Sequence, residues 1–327
     1  MGSKANRGSG WLLCAVICAA TATAAMRPVL RLDDARRFAR VFESGQGRPD
    51  ANQLQRGYLD PGTAGLRAYI ADGVGSAAQL AQAIAADPGK YRYAMDECLA
   101  AMPSQEAGVA AVLEAYRERF PEARLPAVDV VFGSGNALGL ATSQRTVGIS
   151  LEQLCAQPDW RVSLRTLVAH ETAHTLQPLL SEDSPLRRDL LAWALREGAA
   201  SHLAADITGG TADGADNAWA MAREQALLRQ FLDDRQTLRT HWQGASPDPE
   251  AIAAGTRWMW NSGREDGGPP DLAYWVGVRI WAAYRDRHPR QALRAMIALP
   301  DADQVLRDSG YAQSLGVSVD DARPAGP

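Results

Sequence analysis

The sequence predicts an α+β fold that is predominantly helical, with one small sheet. Two observations carry this. Apolar residues recur at helical spacing over most of the chain, as in the stripe Val109, Val112, Leu113, Tyr116 and Phe120. Only between residues 127 and 151 does the period change. There Ala127–Phe132 (AVDVVF) reads as a strand, Gly133–Asn136 as a turn and Thr146–Leu151 (TVGISL) as a returning strand. A composition that is 46% apolar over 327 residues suits a globular chain with a substantial core.

The first 25 residues have the form of a signal peptide. Lys4 and Arg7 give a positive start, Trp11–Ala20 (WLLCAVICAA) is the apolar stretch, and Ala22-Thr23-Ala24 offers a small-residue cleavage site. A membrane span needs about 20 apolar residues, more than this stretch supplies. The expectation is cleavage near Ala24 or Ala25 and a periplasmic or secreted protein without a stable span, an uncleaved anchor being the alternative. Cys14 and Cys18 follow Leu13 and Ile17, not the small residues a lipid-attachment site requires.

Residues 26–126 read as an N-terminal helical region. Ser76 and Gln79 can form a capping box, and Asp87-Pro88 can open a further helix. Residues 127–210 hold the sheet and the most distinctive helices, and residues 211–327 read as a helical C-terminal subdomain with loop-like stretches at 243–250 and 262–270. Lys and Arg number 34 against 38 Asp and Glu; without Lys4 and Arg7 the balance is 32 against 38, a formal charge of −6. No basic patch of the kind a nucleic acid needs is present. Cys98 and Cys155 are left for the mature chain, either as one disulfide or as two independent buried thiols. Neither has the CxxC spacing of a thiolate metal site.

The most informative run is His170-Glu-Thr-Ala-His174. Residues four apart on a helix lie about 40° apart around its axis, so both imidazoles face one way and can share one Zn²⁺. Glu171 is rotated by about 100° from His170, out of ligand position but within reach of a water on that metal. The surrounding Trp160–Gln177 has apolar residues at Val162, Leu164, Leu167, Val168 and Leu176, with Asp159 as a cap and Pro178 as a stop. The next helix is expected over Pro185–Ile207, capped by Ser184 and closed by Gly209-Gly210. In it Glu197 lies among Leu195, Ala199, Ala200 and Leu203, and is the expected third metal ligand. An ion pair between Glu197 and an arginine such as Arg196 is the bland alternative. Glu182, Asp183, Asp189 and Asp206 are weaker ligand candidates.

HETAH followed by LREGAASHLA resembles the gluzincin zinc metallopeptidases, and more closely the predicted Zn-dependent proteases of the DUF2268 type. The segments GYLDPGTAGLRAYI (57–70), VGISLEQLC (147–155) and YWVGVRIWAAY (274–284) are similar to that family as well, so the resemblance spans residues 57 to 312. It implies a zincin-like architecture, with the small sheet beside the HExxH helix, and a peptide or protein substrate. One Zn²⁺ per chain is expected on His170, His174 and Glu197. Glu171 is the expected catalytic base. Tyr274, opening the YWVG segment, is the candidate donor to the oxyanion, with core packing as its alternative and His202 as the runner-up. A non-catalytic, zinc-stabilised envelope binding or chaperone-like protein is the competing function. A coincidental HETAH in a helical scaffold is the third possibility.

Overall fold

The computed structural model describes residues 29–71, 75–179, 188–212, 214, 217–242, 246–261 and 268–318. The expected signal segment, Glu182 and Asp183 lie outside them. After a two-residue strand β1 (Leu30–Arg31), helix α1 (Asp33–Ser44) buries Phe38 and Phe42. Phe38 stacks on Phe132 with ring centroids 4.2 Å apart, which ties this helix to the end of the AVDVVF run. Four short helices follow: α2 (Ala51–Leu54), α3 (Ala64–Tyr69), α4 (Ala77–Ala86) and α5 (Pro88–Tyr93). Helices α2 and α5 run on into π-helical turns over Gln55–Leu59 and Ala94–Leu99. The Ser76–Gln79 capping box forms, and the Asp87 carboxylate accepts from the Lys90 amide with Pro88 in the first turn. Helix α6 (Glu106–Arg119) buries Val109, Val112, Leu113 and Tyr116, while Phe120 caps its end and is half-buried.

Three further strands complete the sheet: β2 (Val128–Val131), β3 (Gly139–Ala141) and β4 (Val147–Ser150), in the order β1-β2-β4-β3. The two sequence-predicted strands do not form a hairpin. They pair in parallel, Val128 opposite Val147 and Val131 opposite Ser150. The chain overshoots to the sheet edge, lays down β3, and turns back to place β4 between β2 and β3, so the antiparallel pair is β3–β4. Both β2 and β4 are buried at every position, the mark of strands covered on two faces. Strand β3 is three residues of Gly, Leu and Ala, too short and too weakly β-forming to announce itself.

Helices α7 (Leu151–Leu154) and α8 (Trp160–Leu176) come next. The Asp159 carboxylate caps α8 by accepting from the Val162 amide; Val162 itself, placed by periodicity on the inner stripe, is 48% exposed. Helix α9 (Leu190–Thr208) starts later than Pro185. Asp189, not Ser184, is its cap. The Asp189 carboxylate accepts from the Leu191 and Ala192 amides and is fixed by Arg235 and Arg239. Residues 180–187 lie outside the described region. Gly209, at φ 73°, ends α9 in the left-handed conformation glycine favours.

The remainder is helical: α10 (Ala218–Met221), α11 (Glu224–His241), α12 (Pro249–Thr256), α13 (Leu272–Arg287), α14 (Ala292–Ala298), α15 (Ala302–Ser309) and α16 (Tyr311–Ser314). One hydrophobic core runs through all of it, from Leu30 to Val317. Helices α9 and α13 approach at a glycine–glycine contact. A Cβ on Gly198 would lie 2.3 Å from the Gly277 carbonyl carbon, and one on Gly277 would lie 1.7 Å from the Ala194 oxygen. Cys98 and Cys155 are joined as a disulfide, their Cα atoms 6.1 Å apart, which links the π-helical turn after α5 to the end of α7. No helix among the described residues is long and apolar enough to cross a membrane.

Candidate metal centre

Helix α8 lies between the sheet and α9. Every residue of α8 from Val168 to Thr175 is buried, so its last turns carry His170 and His174 inside the fold, where α8 packs against α9. The glycine contact with α13 draws α9 inward at Gly198, and Glu197 is its neighbour in sequence. All three side chains are buried, at 7–8% exposure each.

Their ligand atoms form a nearly equilateral triangle. His170 Nε2 and His174 Nε2 are 3.1 Å apart, and Glu197 Oε2 lies 3.2 Å from the first and 3.1 Å from the second. Tetrahedral ligands about 2.0–2.1 Å from a zinc ion stand about 3.3 Å from one another, so the triangle has the size such a face requires. Burial pushes the Glu197 carboxyl up, but His174 and His170 together hold it well below the ordinary carboxylate range. An ionised carboxylate and two imidazoles with converging nitrogens make a donor set suited to a divalent cation.

The orientation of His174 is fixed from behind. Gln177 donates from its amide nitrogen to the carbonyls of Arg196, at 3.2 Å, and Met296, at 3.1 Å. Its oxygen therefore faces His174 Nδ1, at 2.8 Å, and takes that proton. A proton on Nδ1 leaves the Nε2 lone pair aimed into the triangle, the arrangement metal-binding histidines need. Arg145 adds a bond to the Thr175 carbonyl at the end of the same helix.

Glu171 is not one of the three converging groups. Its Oε2 accepts from the Ala141 amide at 2.8 Å, so the carboxylate is held against the edge strand β3. Tyr274, in the first turn of α13, stacks on His170 with ring centroids 6.2 Å apart and planes 19° from parallel. Burial, the nearby Glu197 and Glu171 carboxylates and a hydrogen bond to Glu197 push its hydroxyl well above the ordinary phenol range. The phenol keeps its proton. A cavity of about 230 Å³ lies beside it, with Pro269, Pro270, Leu272 and Trp275 among its walls.

The other sequence candidates lie elsewhere. His202 donates from Nε2 to the Val278 carbonyl at 2.9 Å and serves the α9–α13 contact. Asp189 is committed to its cap and its two arginines, and Asp206 pairs with Arg285 at 2.9 Å. Glu197 makes no arginine ion pair with Arg196, whose Nη1 donates to the Pro178 carbonyl. Three features of the site escaped the sequence reading. Gln177 could have been found as a polar residue three places after the second histidine, on the adjoining helical position. Strand β3 and the Gly277 contact had no local signal. A second trio, His241, Asp248 and Glu250, also brings ligand atoms together, but Asp248 is the cap of α12 and the group is largely exposed.

The chain matches no family model, no curated protein and no solved structure.

Proposed function

We propose that this protein is an exported zinc-dependent peptidase, with one Zn²⁺ held by His170, His174 and Glu197. The converging triangle of those three side chains, with Glu171 beside it and outside it, is the observation that carries the reading. Zinc at such a site supplies Lewis acidity to a scissile carbonyl and lowers the pKa of bound water toward neutrality. Glu171 is anchored through Oε2 to the Ala141 amide, which leaves its other oxygen to take a water proton and pass it to the leaving amine. Tyr274, held neutral, donates its proton to a hydrogen bond with the developing oxyanion.

The sheet edge supports a peptide as the substrate. Thr142 bonds across to Thr146, and Ser150 to Leu138, so these pairs face β4. The alternating backbone groups of Gly139 and Ala141 then face the other way, toward Glu171. An extended substrate can pair as an added strand with the outward groups of Gly139 and the Ala141 carbonyl, the Ala141 amide being held by Glu171. The signal-like first 25 residues and the Cys98–Cys155 disulfide support export to an oxidising compartment. The test is cleavage of an unfolded protein by purified enzyme, with and without chelator. Chelator-sensitive cleavage that is lost in Glu171→Gln is expected; equal cleavage by that variant refutes a Glu171-dependent mechanism, and no cleavage by zinc-loaded wild type leaves the non-catalytic, zinc-stabilised reading.

A further inference from the structure

Trp260 is 73% exposed, an unusual setting for the largest apolar side chain, and it is not loosely placed. Its backbone is left-handed, at φ 56°, which is costly for a bulky residue. The Trp260 amide donates to Asp271 Oδ1 at 2.7 Å, the Asp271 amide donates to Asn261 Oδ1 at 2.8 Å, and the Asn261 side-chain amide donates to the Arg257 carbonyl at 2.8 Å. Asp271 is itself left-handed, at φ 52°. Two costly backbone positions are thus locked together, and the result is an indole held out toward solvent.

Among the described residues that indole meets one other ring. It packs edge-to-face on Trp193, with centroids 6.0 Å apart and planes at 78°. Trp193 is on α9, four residues before Glu197, so it lies on the same face as that group and one helical turn from it. The pair therefore lies about one helical turn along α9 from Glu197. Asp271, which pins Trp260, opens the helix that carries Tyr274 three residues later.

We propose that Trp193 and Trp260 form a binding subsite for one bulky apolar side chain, aromatic by preference, of a polypeptide lying across the metal centre. The proposal rests on the peptidase reading of that centre. One turn of α9 is about 5.4 Å, which an extended chain covers in about two residues, so the side chain belongs to a residue about two positions from the bond attacked. Indole faces and edges take aromatic rings in offset or edge-to-face geometry.

The test has two arms. In the first, the indole N–H signals of Trp193 and Trp260 are assigned by NMR with Trp193→Phe and Trp260→Phe, and the purified protein is titrated with N-acetyl-phenylalanine amide and N-acetyl-alanine amide. Saturable shifts of both signals with the phenylalanine amide alone are expected; no shift, or equal shifts with both amides, overturns the subsite. In the second, the zinc-loaded Glu171→Gln protein is offered peptides that differ only by Phe or Ala at successive positions, and binding is read by fluorescence anisotropy. Phe at one position should bind about tenfold tighter, and Trp260→Ala should remove that preference with zinc content unchanged. If the amide moves the indoles but no peptide binds, the peptidase reading fails and the subsite stands. If peptides bind with no preference for Phe, the subsite fails and the peptidase reading stands.

Discussion

Two buried glutamates, one on α7 and one on α9, have opposite fates. Glu197 is surrounded by two imidazoles that hold its carboxyl well below the ordinary range despite burial. Glu152, on α7, is fully buried and is pushed up to about 7. Burial is the main cause. The Gly133 amide, donating to Oε2 at 3.1 Å, and Lys90 lower it only in part, and its Oε1 has no hydrogen-bond partner among the described residues. Three tyrosines close over the same loop. Tyr58 bonds the Phe132 carbonyl, Tyr91 the Gly133 carbonyl, and Tyr69 the Ser150 hydroxyl. Glu152 thus organises the turn that leads into β3, and a neutral carboxyl suffices for that. Glu197 has groups that demand a charge. The residue type is the same; the neighbours decide which one can hold a cation.

The comparison can be broken from either side. On the Glu152 side, the largest effect is expected from the disulfide that pins α7. Cys98 and Cys155 are 57 residues apart, and closing a loop of that size stabilises a fold by about 4 kcal/mol in the chain-entropy picture. Reduction, or Cys98→Ser with Cys155→Ser, should lower the urea midpoint accordingly; an unchanged midpoint argues against a structural role for the disulfide.

The Glu152 carboxyl itself makes a pH signature. Its folded pKa of about 7 lies above the unfolded value of 4.5, so the folded chain binds the extra proton between those limits. Stability from this group is then highest below pH 4.5, falls as pH rises to 7, and is level above. The span is on the order of 3 kcal/mol. Glu152→Gln should flatten that slope in urea unfolding measured from pH 4.5 to 8. Asp129, raised to about 6 chiefly by burial, contributes a slope of the same sign between pH 3.8 and 6, and Asp129→Asn should remove it. If Glu152→Gln leaves the slope intact, Glu152 is ionised and the contrast with Glu197 fails.

On the Glu197 side, Tyr274→Phe should lower kcat by about a hundredfold, with zinc content and thermal midpoint nearly unchanged. Full activity, or an unfolded variant, would make Tyr274 a packing residue against His170. The smallest effect is expected behind the site. Gln177→Leu removes the acceptor that sets the His174 tautomer and should weaken zinc affinity by roughly tenfold to a hundredfold, read by competition with a chelating dye. Unchanged affinity would mean that the tautomer is set elsewhere.

Helix α8, its cap and the capping box at Ser76 were legible because each is encoded within a few consecutive residues. So was the metal trio: HETAH fixes two of its members by helical spacing, and Glu197 lies on a run of small residues that only a close helix pair explains. The parallel pairing of β2 and β4 was not legible. It depends on β3, whose Gly-Leu-Ala sequence acquires its place from β4 and from helix α8 packed on it. The start of α9 was missed for a related reason. Ser184 and Pro185 carry the stronger local signal, but the buried Arg235 and the half-buried Arg239, more than 40 residues on, commit Asp189 to the cap. Glu152 gave no warning at all, because nothing in SLEQLC distinguishes a buried acid from a surface one.

The central claim is that His170, His174 and Glu197 hold one zinc ion while Glu171 works beside it. Metal content by plasma mass spectrometry, on wild type, Glu171→Gln and His174→Ala purified side by side, tests it most directly. About one zinc per chain is expected in wild type and in Glu171→Gln, with most of it gone in His174→Ala. Metal-free wild type, or a His174→Ala protein that keeps its zinc in full, would contradict the account.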